Sequence, residues 1–410
     1  MKSRAVIRQL FRDYYASHGL EVESPSMAQK REFGFISFDR VMVRHKAFAG
    51  ESDLQSFLGE FVPSDAYYSS AYYQDPEANM EQKGWLGADL VFDIDADHIP
   101  TPCEKIHDEW VCGGCGFAGK GTAPDTCPIC GKEKFETNTW PCEVCLETAK
   151  KETVKLLGML KEDMGFSEKE MQVFYSGHRG YHVHLESQIV QALDAIARKE
   201  IVDYLTGLGL DLAFHGFDEK TWKEAPLSGA SSMGSSGWHK HVLLGVQNFI
   251  SGAQANDLIE IGLKKHIAET LVRNKDSILR SLSGAGTSGG VKGVGYETWR
   301  RIIDHVVKLE SAKIDTVVTT DIHRLIRLAG SLHSKTGLKK VEVAASGIDD
   351  FDPFKSSVAF KQGTLKVSVS DAPAFRILDN TFGPYRKKEV ELPTAAAVLL
   401  VCRDRAEVVG

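Results

Sequence analysis

Hydrophobic positions along the chain follow two different periods, and this pattern predicts both helices and strands. Val6, Leu10 and Tyr14 recur every four residues, which predicts a helix over residues 3–18. The uninterrupted apolar run Leu90-Val91-Phe92 is typical of a buried strand. Elsewhere the same criteria predict strands at 171–176 and 181–184 and helices at 143–164, 254–280 and 297–310. The pattern therefore favours a mixed α/β (α+β) fold with a central sheet flanked by helices.

The order of these elements suggests a core with two insertions. Residues 1–205 and 296–410 are predicted to form the core, with a cysteine-rich insertion at 101–146 inside it. Residues 206–295 are predicted to be a mainly helical insertion, because stretches rich in Gly and Ser, Leu227–Gly237 and Ser281–Gly295, border its helical part.

Composition restricts the partners and the compartment. The 410 residues carry a net charge of −7, so binding to nucleic acid requires a local basic surface. We expect no membrane association, because no apolar run reaches spanning length and the first residues form an amphipathic pattern rather than a signal peptide. Seven of the eight cysteines lie between Cys103 and Cys145, which indicates metal binding in a reducing, cytoplasmic location.

Acidic residues follow the buried strand at alternate positions. Asp93 and Asp95 are two residues apart, so their side chains should project from the same face of the strand. Two carboxylates this close repel each other unless a cation or a shared proton lies between them. Oxygen ligands at a strand end suit Mg²⁺ or Mn²⁺, and paired metals of this kind catalyse phosphoryl transfer. An acidic strand end that leads into a solvated loop is the alternative.

A glycine-flanked turn separates the strands at 171–176 and 181–184. It carries a hydroxyl, two imidazoles and a guanidinium, contributed by Ser176, His178, His182 and Arg179. Backbone N–H groups and Arg side chains are suited to binding phosphate. A hairpin turn with a solvated basic tip would have the same composition.

The segment from Lys313 to Gly337 contains a third acidic and basic group. Asp315 is predicted to begin a helix in which Arg324 and Arg327 share one face, and His333 follows in a turn. This arrangement fits a triphosphate–metal site, and it also fits a surface helix with salt bridges.

The cysteines form two sets with zinc-binding spacing. The inner set, Cys112, Cys115, Cys127 and Cys130, has the spacing of a zinc ribbon. The outer set, Cys103, Cys142 and Cys145, lacks a fourth ligand, for which His107 is the nearest candidate and His98 the reserve. Two closed tetrahedral sites of this kind would be structural, because they leave no position for water. Free cysteines in a hydrophobic core are the alternative.

Taken in order, D-I-D at a strand end, S-G-x-R-G-x-H, and I-D followed by H-R-L-x-R-L and S-L-H-x-K-T-G resemble motifs of a known family. The chain resembles the small catalytic subunit of the archaeal and eukaryotic type of DNA primase. The resemblance runs from Arg31 to Gly337 and is weakest in the Gly/Ser-rich region 206–300 and in the tail. One departure is Ala329-Gly330, where relatives often carry proline.

The resemblance implies an activity and a set of site residues. It implies that Asp93, Asp95 and Asp315 hold two divalent metals, Mg²⁺ or Mn²⁺, and that the chain makes short primers de novo on single-stranded DNA. It also implies a zinc knuckle at Cys103, Cys142 and Cys145, and a large primase subunit as partner. Glu32 and Arg44 match positions lining the same site less closely. The implied contacts to nucleoside triphosphate are Ser176, His178, Arg179, His182, Arg324, Arg327 and His333.

Three other functions fit parts of the sequence. Phosphatases of the haloacid-dehalogenase type also place D-x-D after an apolar run, but they continue with Gly-Thr, whereas this chain continues Ala96-Asp97-His98. A non-catalytic zinc module that binds nucleic acid would explain the cysteines and leave the three aspartates unexplained. A repair or plasmid primase-polymerase is the nearest alternative within the primase superfamily.

Overall fold

The computed structural model describes residues 2–17, 22–215, 217–220, 236–283 and 291–409. Within these ranges thirteen α-helices and eighteen strands occur, which confirms the mixed α/β prediction. The helices are α1 Lys2–Ser17, α2 Glu51–Phe61, α3 Glu143–Glu162, α4 Gln188–Gln191, α5 Ala195–Thr206, α6 Gly237–Gly252, α7 Ala255–Glu260, α8 Lys265–Arg273, α9 Lys275–Leu282, α10 Tyr296–Glu310, α11 Thr316–Thr320, α12 Pro353–Ser356 and α13 Thr394–Cys402.

The strands form several small sheets rather than one large one. Their bounds are β1 Phe33–Ile36, β2 Met42–Lys46, β3 Asp65–Ser69, β4 Ala71–Tyr73, β5 Trp85–Ala88, β6 Leu90–Asp95, β7 Glu109–Cys112, β8 Ala118–Lys120, β9 Phe135–Asn138, β10 Met171–Tyr175, β11 Gly180–Leu185, β12 Leu325–Arg327, β13 Val341–Val343, β14 Thr364–Ala372, β15 Phe375–Ile377, β16 Asn380–Phe382, β17 Tyr385–Pro393 and β18 Ala406–Val408.

The chain divides into two compact units. The first comprises Met1–Val154, Glu168–Lys199 and Lys313–Gly410, and the second comprises Lys155–Ser167 and Glu200–Ala312. In the second unit α6 packs against α10, and Gly245 permits the close approach because a Cβ there would lie 2.5 Å from Val306 Cγ1. The predicted Gly/Ser-rich linkers of this region fall mostly on residues 221–235 and 284–290, outside the described residues.

The sheet that bears the acidic strand belongs to the first unit and has the order β13-β10-β11-β6. Strands β6 and β11 are antiparallel, with His182 opposite Asp93 and Gly180 opposite Asp95. Glycine is required at position 180, because a Cβ there would lie 2.3 Å from the carbonyl oxygen of Ile94. The apolar residues of β6 are buried, whereas Asp93 and Asp95 are only partly buried. The strand thus directs both acids to one accessible face of the sheet.

A second sheet of the same unit, ordered β12-β3-β1-β2, supplies further side chains near these acids. Arg31 stabilises this region through hydrogen bonds. Its buried guanidinium donates to Asp89 Oδ2 at 2.5 Å, to the Tyr72 hydroxyl and to the carbonyl oxygens of Ser69 and Ser70. A buried Arg is tolerated only when its donors are satisfied in this way.

The third motif is not the continuous helix that its spacing predicts. Helix α11 ends at Thr320, Asp321 is extended, and residues 325–327 form β12, which pairs with β3. The carboxylate of Asp321 accepts the backbone N–H of His323 and so favours a turn over a further helical turn. The prediction that Arg324 and Arg327 share a helix face is therefore wrong, although both remain near the acids.

Two other regions differ from the predicted pattern. The region predicted as one helix at 254–280 contains three short helices, α7, α8 and α9. The tail after Lys339 is mainly β as predicted, but it also contains α13, whose residues Thr394 to Val401 are all buried. A helix that is apolar on every side has no amphipathic period, so periodicity could not reveal it.

Candidate functional site

Three aspartates come together at the accessible face of the sheet ordered β13-β10-β11-β6. Asp93 and Asp95 project from β6, and Asp315 joins them because its backbone N–H donates to the Asp93 carbonyl oxygen at 2.8 Å. The Asp315 carboxylate also accepts the N–H of Val317 and so caps α11. This cap fixes Asp315 beside the end of β6 although more than 200 residues separate the two in sequence.

Burial and neighbouring carboxylates raise the affinity of Asp93 for a proton. Burial raises the pKa of Asp93 to about 7, and the neighbouring Asp95 and Asp315 carboxylates add to the rise. Burial also raises the pKa of Asp95 above its ordinary range. Carboxylates held this close are best stabilised by a bound cation, and an all-oxygen donor set is suited to Mg²⁺ or Mn²⁺. The donor chemistry therefore fits the predicted metals.

A cavity in the first unit opens beside these acids, and most of the predicted site residues line it. Those residues are Asp93, Asp95, Ser176, His178, His182, Arg324, Arg327 and His333. The sequence motifs that are far apart in the chain are thus brought to one place. Tyr67, Asp97 and Lys335 also line the cavity and were not predicted as site residues. Lys335 lies in the S-L-H-x-K-T-G turn, and its position two residues after His333 was the available signal.

The hairpin between β10 and β11 holds its turn by its own side chains. The Ser176 hydroxyl accepts the backbone N–H groups of His178 and Gly180, and the Thr336 hydroxyl donates to the Gly177 carbonyl at 2.6 Å. His178 stacks on His333 with 5.1 Å between ring centroids. The second and third motifs are therefore in direct contact.

His182 faces the acids and is neutral near pH 7. Its Nε2 lies 3.5 Å from Asp93 Oδ1, while burial and the charges of Lys340, Arg327 and Arg324 hold its pKa well below the usual value. Its Nδ1 is buried and has no hydrogen-bond partner within the described parts of the chain. A neutral imidazole in this position can donate one hydrogen bond without adding a charge.

The two arginines of the third motif have different surroundings. The Arg327 guanidinium donates to Asp65 Oδ1 at 2.7 Å and to the Tyr67 hydroxyl at 3.3 Å, so it is held in place at the cavity wall. Arg324 is half-buried, lines the same cavity and makes no side-chain ion pair with the described residues. Arg324 is therefore available to an anionic ligand.

Arg179 does not line the cavity. Its guanidinium is fully buried, donates to both Asp108 carboxylate oxygens at 2.9 and 2.8 Å, and also contacts Asp97 and the Trp140 carbonyl. The prediction that Arg179 contacts phosphate directly stays untested, and these contacts favour a role in holding the hairpin. Glu32 and Arg44 also lie outside the cavity lining, in an ion pair at 2.8 Å.

The outer cysteine set gathers around His107. The Nε2 of His107 lies 3.4 Å from Cys103 Sγ and 3.6 Å from Cys145 Sγ, and these atoms, with Cys142, lie within 4.8 Å of one another. His98 is not part of this group. The other His107 nitrogen, Nδ1, contacts Asp108 Oδ1 at 2.7 Å. A carboxylate that fixes the histidine ring in this way is common behind zinc ligands.

The inner set, Cys112, Cys115, Cys127 and Cys130, also converges. The Sγ atoms of Cys112 and Cys130 are 3.5 Å apart, and those of Cys115 and Cys127 are 3.7 Å apart. Zinc–sulfur bonds of about 2.3 Å in a tetrahedron separate the sulfurs by about 3.8 Å, so this spacing fits zinc. Both cysteine-rich groups could therefore hold zinc.

In the described residues no helix is both long enough and apolar enough to cross a bilayer.

Comparisons with known proteins agree with this geometry. A family model described as DNA primase small subunit matches residues 136–345, which include the hairpin, Asp315 and the His333 turn. A DNA primase small subunit of Cenarchaeum symbiosum is 31% identical over 408 residues, covering 99% of this chain and 98% of the relative. Those of Methanococcoides burtonii and Methanoregula boonei are 30% identical over 433 residues and 32% identical over 419 residues, with 98–99% of each chain covered. Given this coverage and the site it encloses, the chain belongs to the DNA primase small subunit family and is the catalytic, nucleotide-transferring type of primase subunit.

Proposed function

We propose that the chain synthesises short primers de novo on single-stranded DNA, with two divalent cations bound by Asp93, Asp95 and Asp315. The convergence of these three carboxylates beside a cavity lined with cationic side chains carries the proposal. When bound, Mg²⁺ or Mn²⁺ would activate the attacking 3′-hydroxyl and neutralise the leaving pyrophosphate.

The chain's own residues would bind and orient the nucleoside triphosphate. Arg324 and Arg327 line the same cavity as Asp93 and Asp95, where they can balance the charge of the phosphates. Ser176, His178, His182 and His333 would add hydrogen bonds, and we add Lys335 to this group because its ammonium lines the same cavity. We propose that Arg179 acts indirectly, by holding the hairpin through Asp97 and Asp108.

The phosphate contacts can be separated from contacts to the template. Replacing Arg324 by Ala should weaken binding of nucleotide more than binding of single-stranded DNA, because Arg324 is the half-buried cation without an ion pair in the described lining. Titrations that show the opposite order would assign Arg324 to the DNA path instead.

The acids predict how metal binding depends on pH. Asp93 has a pKa of about 7 without metal, so below that pH a proton competes with the cation. Mn²⁺ should therefore bind more tightly as the pH rises from about 6 to about 8, which paramagnetic relaxation of water protons can measure. An affinity independent of pH over this range would place the cation away from Asp93.

The cysteine-rich groups are proposed to bind two structural zinc ions, one in each set. The proposal also includes a large primase subunit as partner, since a small subunit implies a larger one and the net charge of −7 gives this chain little general attraction for DNA. We infer that the chain acts in priming with that partner rather than as a repair or plasmid primase-polymerase. We also infer a reducing, cytoplasmic location, in which the thiols stay available for metal.

The decisive experiment is template-dependent incorporation of labelled nucleotide on single-stranded DNA without a primer, with Mg²⁺ or Mn²⁺, alone and with the large subunit. We expect short products that disappear when the template is omitted. Products that form without template, or only from a supplied primer, would contradict de novo priming.

A further inference from the structure

The exposed side of the first helix carries a row of arginines. Arg4, Arg8 and Arg12 are four residues apart in α1, and all three are exposed. The adjacent side of the helix buries Ile7, Phe11, Tyr14 and Tyr15. At a rise of about 1.5 Å per residue, successive arginines are about 6 Å apart along the helix axis. Residues four apart lie on neighbouring turns, so the three guanidinium groups form one basic stripe.

This stripe is not neutralised by the rest of the protein. Arg4 pairs with Asp39 at 3.0 Å, but both side chains are more than half exposed, so the pair is screened by solvent. Arg8 and Arg12 make no ion pair with any described residue. Asp13 is the one acid of α1, and Lys2 adds a fourth cation to the helix.

The two other described helices with three or more Lys or Arg residues, α3 and α10, carry as many acids as cations. Helix α10, for example, carries Arg300, Arg301 and Lys308 together with Glu297, Asp304 and Glu310. Because the whole chain has a net charge of −7, attraction for a polyanion has to come from a local concentration of cations. Helix α1 provides that concentration.

The C-terminal end of α1 contacts a loop that borders the cavity. The Tyr14 hydroxyl donates to the Gly330 carbonyl at 2.6 Å, and the Leu332 N–H donates to the Tyr15 hydroxyl at 3.2 Å. The C-terminal end of α1 is thus fixed against the loop that carries His333, a cavity-lining residue. Arg12 is close to this anchored end of the helix. From Arg12 the stripe extends about 12 Å along the helix axis to Arg4.

We propose that Arg4, Arg8 and Arg12 bind the phosphodiester backbone of single-stranded DNA and guide the template strand at the cavity. Guanidinium groups bind phosphate oxygens in pairs, and a row of them follows a backbone without reading its bases. The identity of this strand as the template rests on the proposed function.

The test compares two charge reversals of equal size. One variant carries Arg8→Glu and Arg12→Glu, and the control carries Lys387→Glu and Lys388→Glu on the exposed strand β17 of the same unit. Binding of a fluorescent single-stranded DNA oligonucleotide to the full chain is measured by anisotropy over a range of NaCl concentrations. For the helix variant we expect the affinity for DNA at low salt to fall by about tenfold or more. The slope of log K against log salt should become shallower by about 1.4, because two phosphate contacts are lost. The control should remain close to the wild-type chain.

Incorporation assays separate this proposal from the proposed function. With template in large excess the helix variant should reach the wild-type rate, because none of the altered residues lines the cavity. Wild-type affinity and slope in the helix variant, or an equal loss in the control, would overturn the proposal even if primer synthesis is normal. Absence of synthesis by the wild-type chain, with DNA binding still dependent on Arg8 and Arg12, would refute the proposed function alone.

Two further readouts complete the test. If DNA binding is unchanged and binding of the large subunit is lost, the stripe is a protein interface and the proposal fails. Thermal unfolding of both variants checks the fold. The variant Arg8→Gln with Arg12→Gln, which removes charge without reversing it, should show a similarly shallower salt slope and a smaller loss of affinity.

Discussion

The two cysteine groups have similar ligand chemistry but are attached to the protein in different ways. In the outer group, Cys145 is fully buried at the start of α3, and His107 contacts Asp108, which also receives Arg179 of the hairpin. Two consecutive polar contacts, from His107 to Asp108 and from Asp108 to Arg179, therefore connect the outer group to the hairpin that borders the cavity.

The inner group lies at the end of a small sheet, away from such contacts. It occupies the turns beyond β7, and Cys115 and Cys130 are exposed. The other end of this sheet is anchored to the tail, through Glu109 with Arg405 at 2.9 Å and through Asn138 with Arg403. Ligand groups of similar chemistry thus lie beside the active region in one place and in a separate small lobe in another.

The largest effect is expected for a variant that loses catalysis and keeps both cysteine groups intact. Asp95→Asn should lower nucleotide incorporation by about 10³-fold, because it removes a charge that stabilises the transition state through the bound cations. Zinc content, measured by elemental analysis, should stay at the wild-type level. If this variant retains synthesis at ordinary metal concentrations, the assignment of Asp95 as a metal ligand fails.

The next effect breaks the outer group. Cys142→Ser should release one zinc per chain, lower the midpoint of thermal unfolding and reduce incorporation, because metal binding contributes directly to folding. Elemental analysis, calorimetry and the primer assay would be applied to the same preparation. Full activity without the outer zinc would show that this group does not support the cavity.

A smaller effect is expected when Asp108, which contacts both His107 and Arg179, is changed. Asp108→Asn keeps the size of the side chain and removes the charge shared by His107 and Arg179, so we expect incorporation to fall by about 10- to 100-fold with zinc still bound but held more weakly. Asp125→Asn, an exposed acid in the same insertion, is the matched control and should have no effect. Equal activity of the two variants would remove the proposed coupling.

The smallest effect is expected at the inner group. Cys112→Ser combined with Cys127→Ser should release one zinc and leave incorporation within about twofold of wild type, because neither residue lines the cavity. Failure to lose any zinc would mean that the inner group holds none, and a collapse of activity would contradict the separation of the two groups.

Local spacing in the sequence predicted the elements that carry the candidate site better than their surroundings. The acidic strand, the hairpin and both cysteine groups depend on local spacing, and the structure forms them as the spacing predicts. The segment after Asp315 was predicted as a helix, since Ile322, Leu325 and Ile326 also fit a helical period. Pairing of β12 with β3 decides its conformation, and this is a contact across more than 250 residues.

The burial of Arg179 could not be predicted for a similar reason. Its partners Asp97 and Asp108 lie 82 and 71 residues away, and an Arg in a Gly-rich turn carries no local sign that acids will enclose it. Lys335 was missed although it lies in the same motif as His333, because a lysine in a turn is most often solvated; the structure places it in the cavity lining.

The Asp108 carboxylate has a consequence for the order in which ligands bind. Because it contacts both His107 and Arg179, any ligand that steadies the hairpin also steadies the histidine that faces the outer thiols. Free-energy coupling between two sites is reciprocal, so if zinc favours nucleotide binding, nucleotide must favour zinc binding by the same factor. At equilibrium with a chelator, bound nucleotide should then raise the fraction of the outer zinc that the protein retains, and zinc retention would report the occupancy of the cavity.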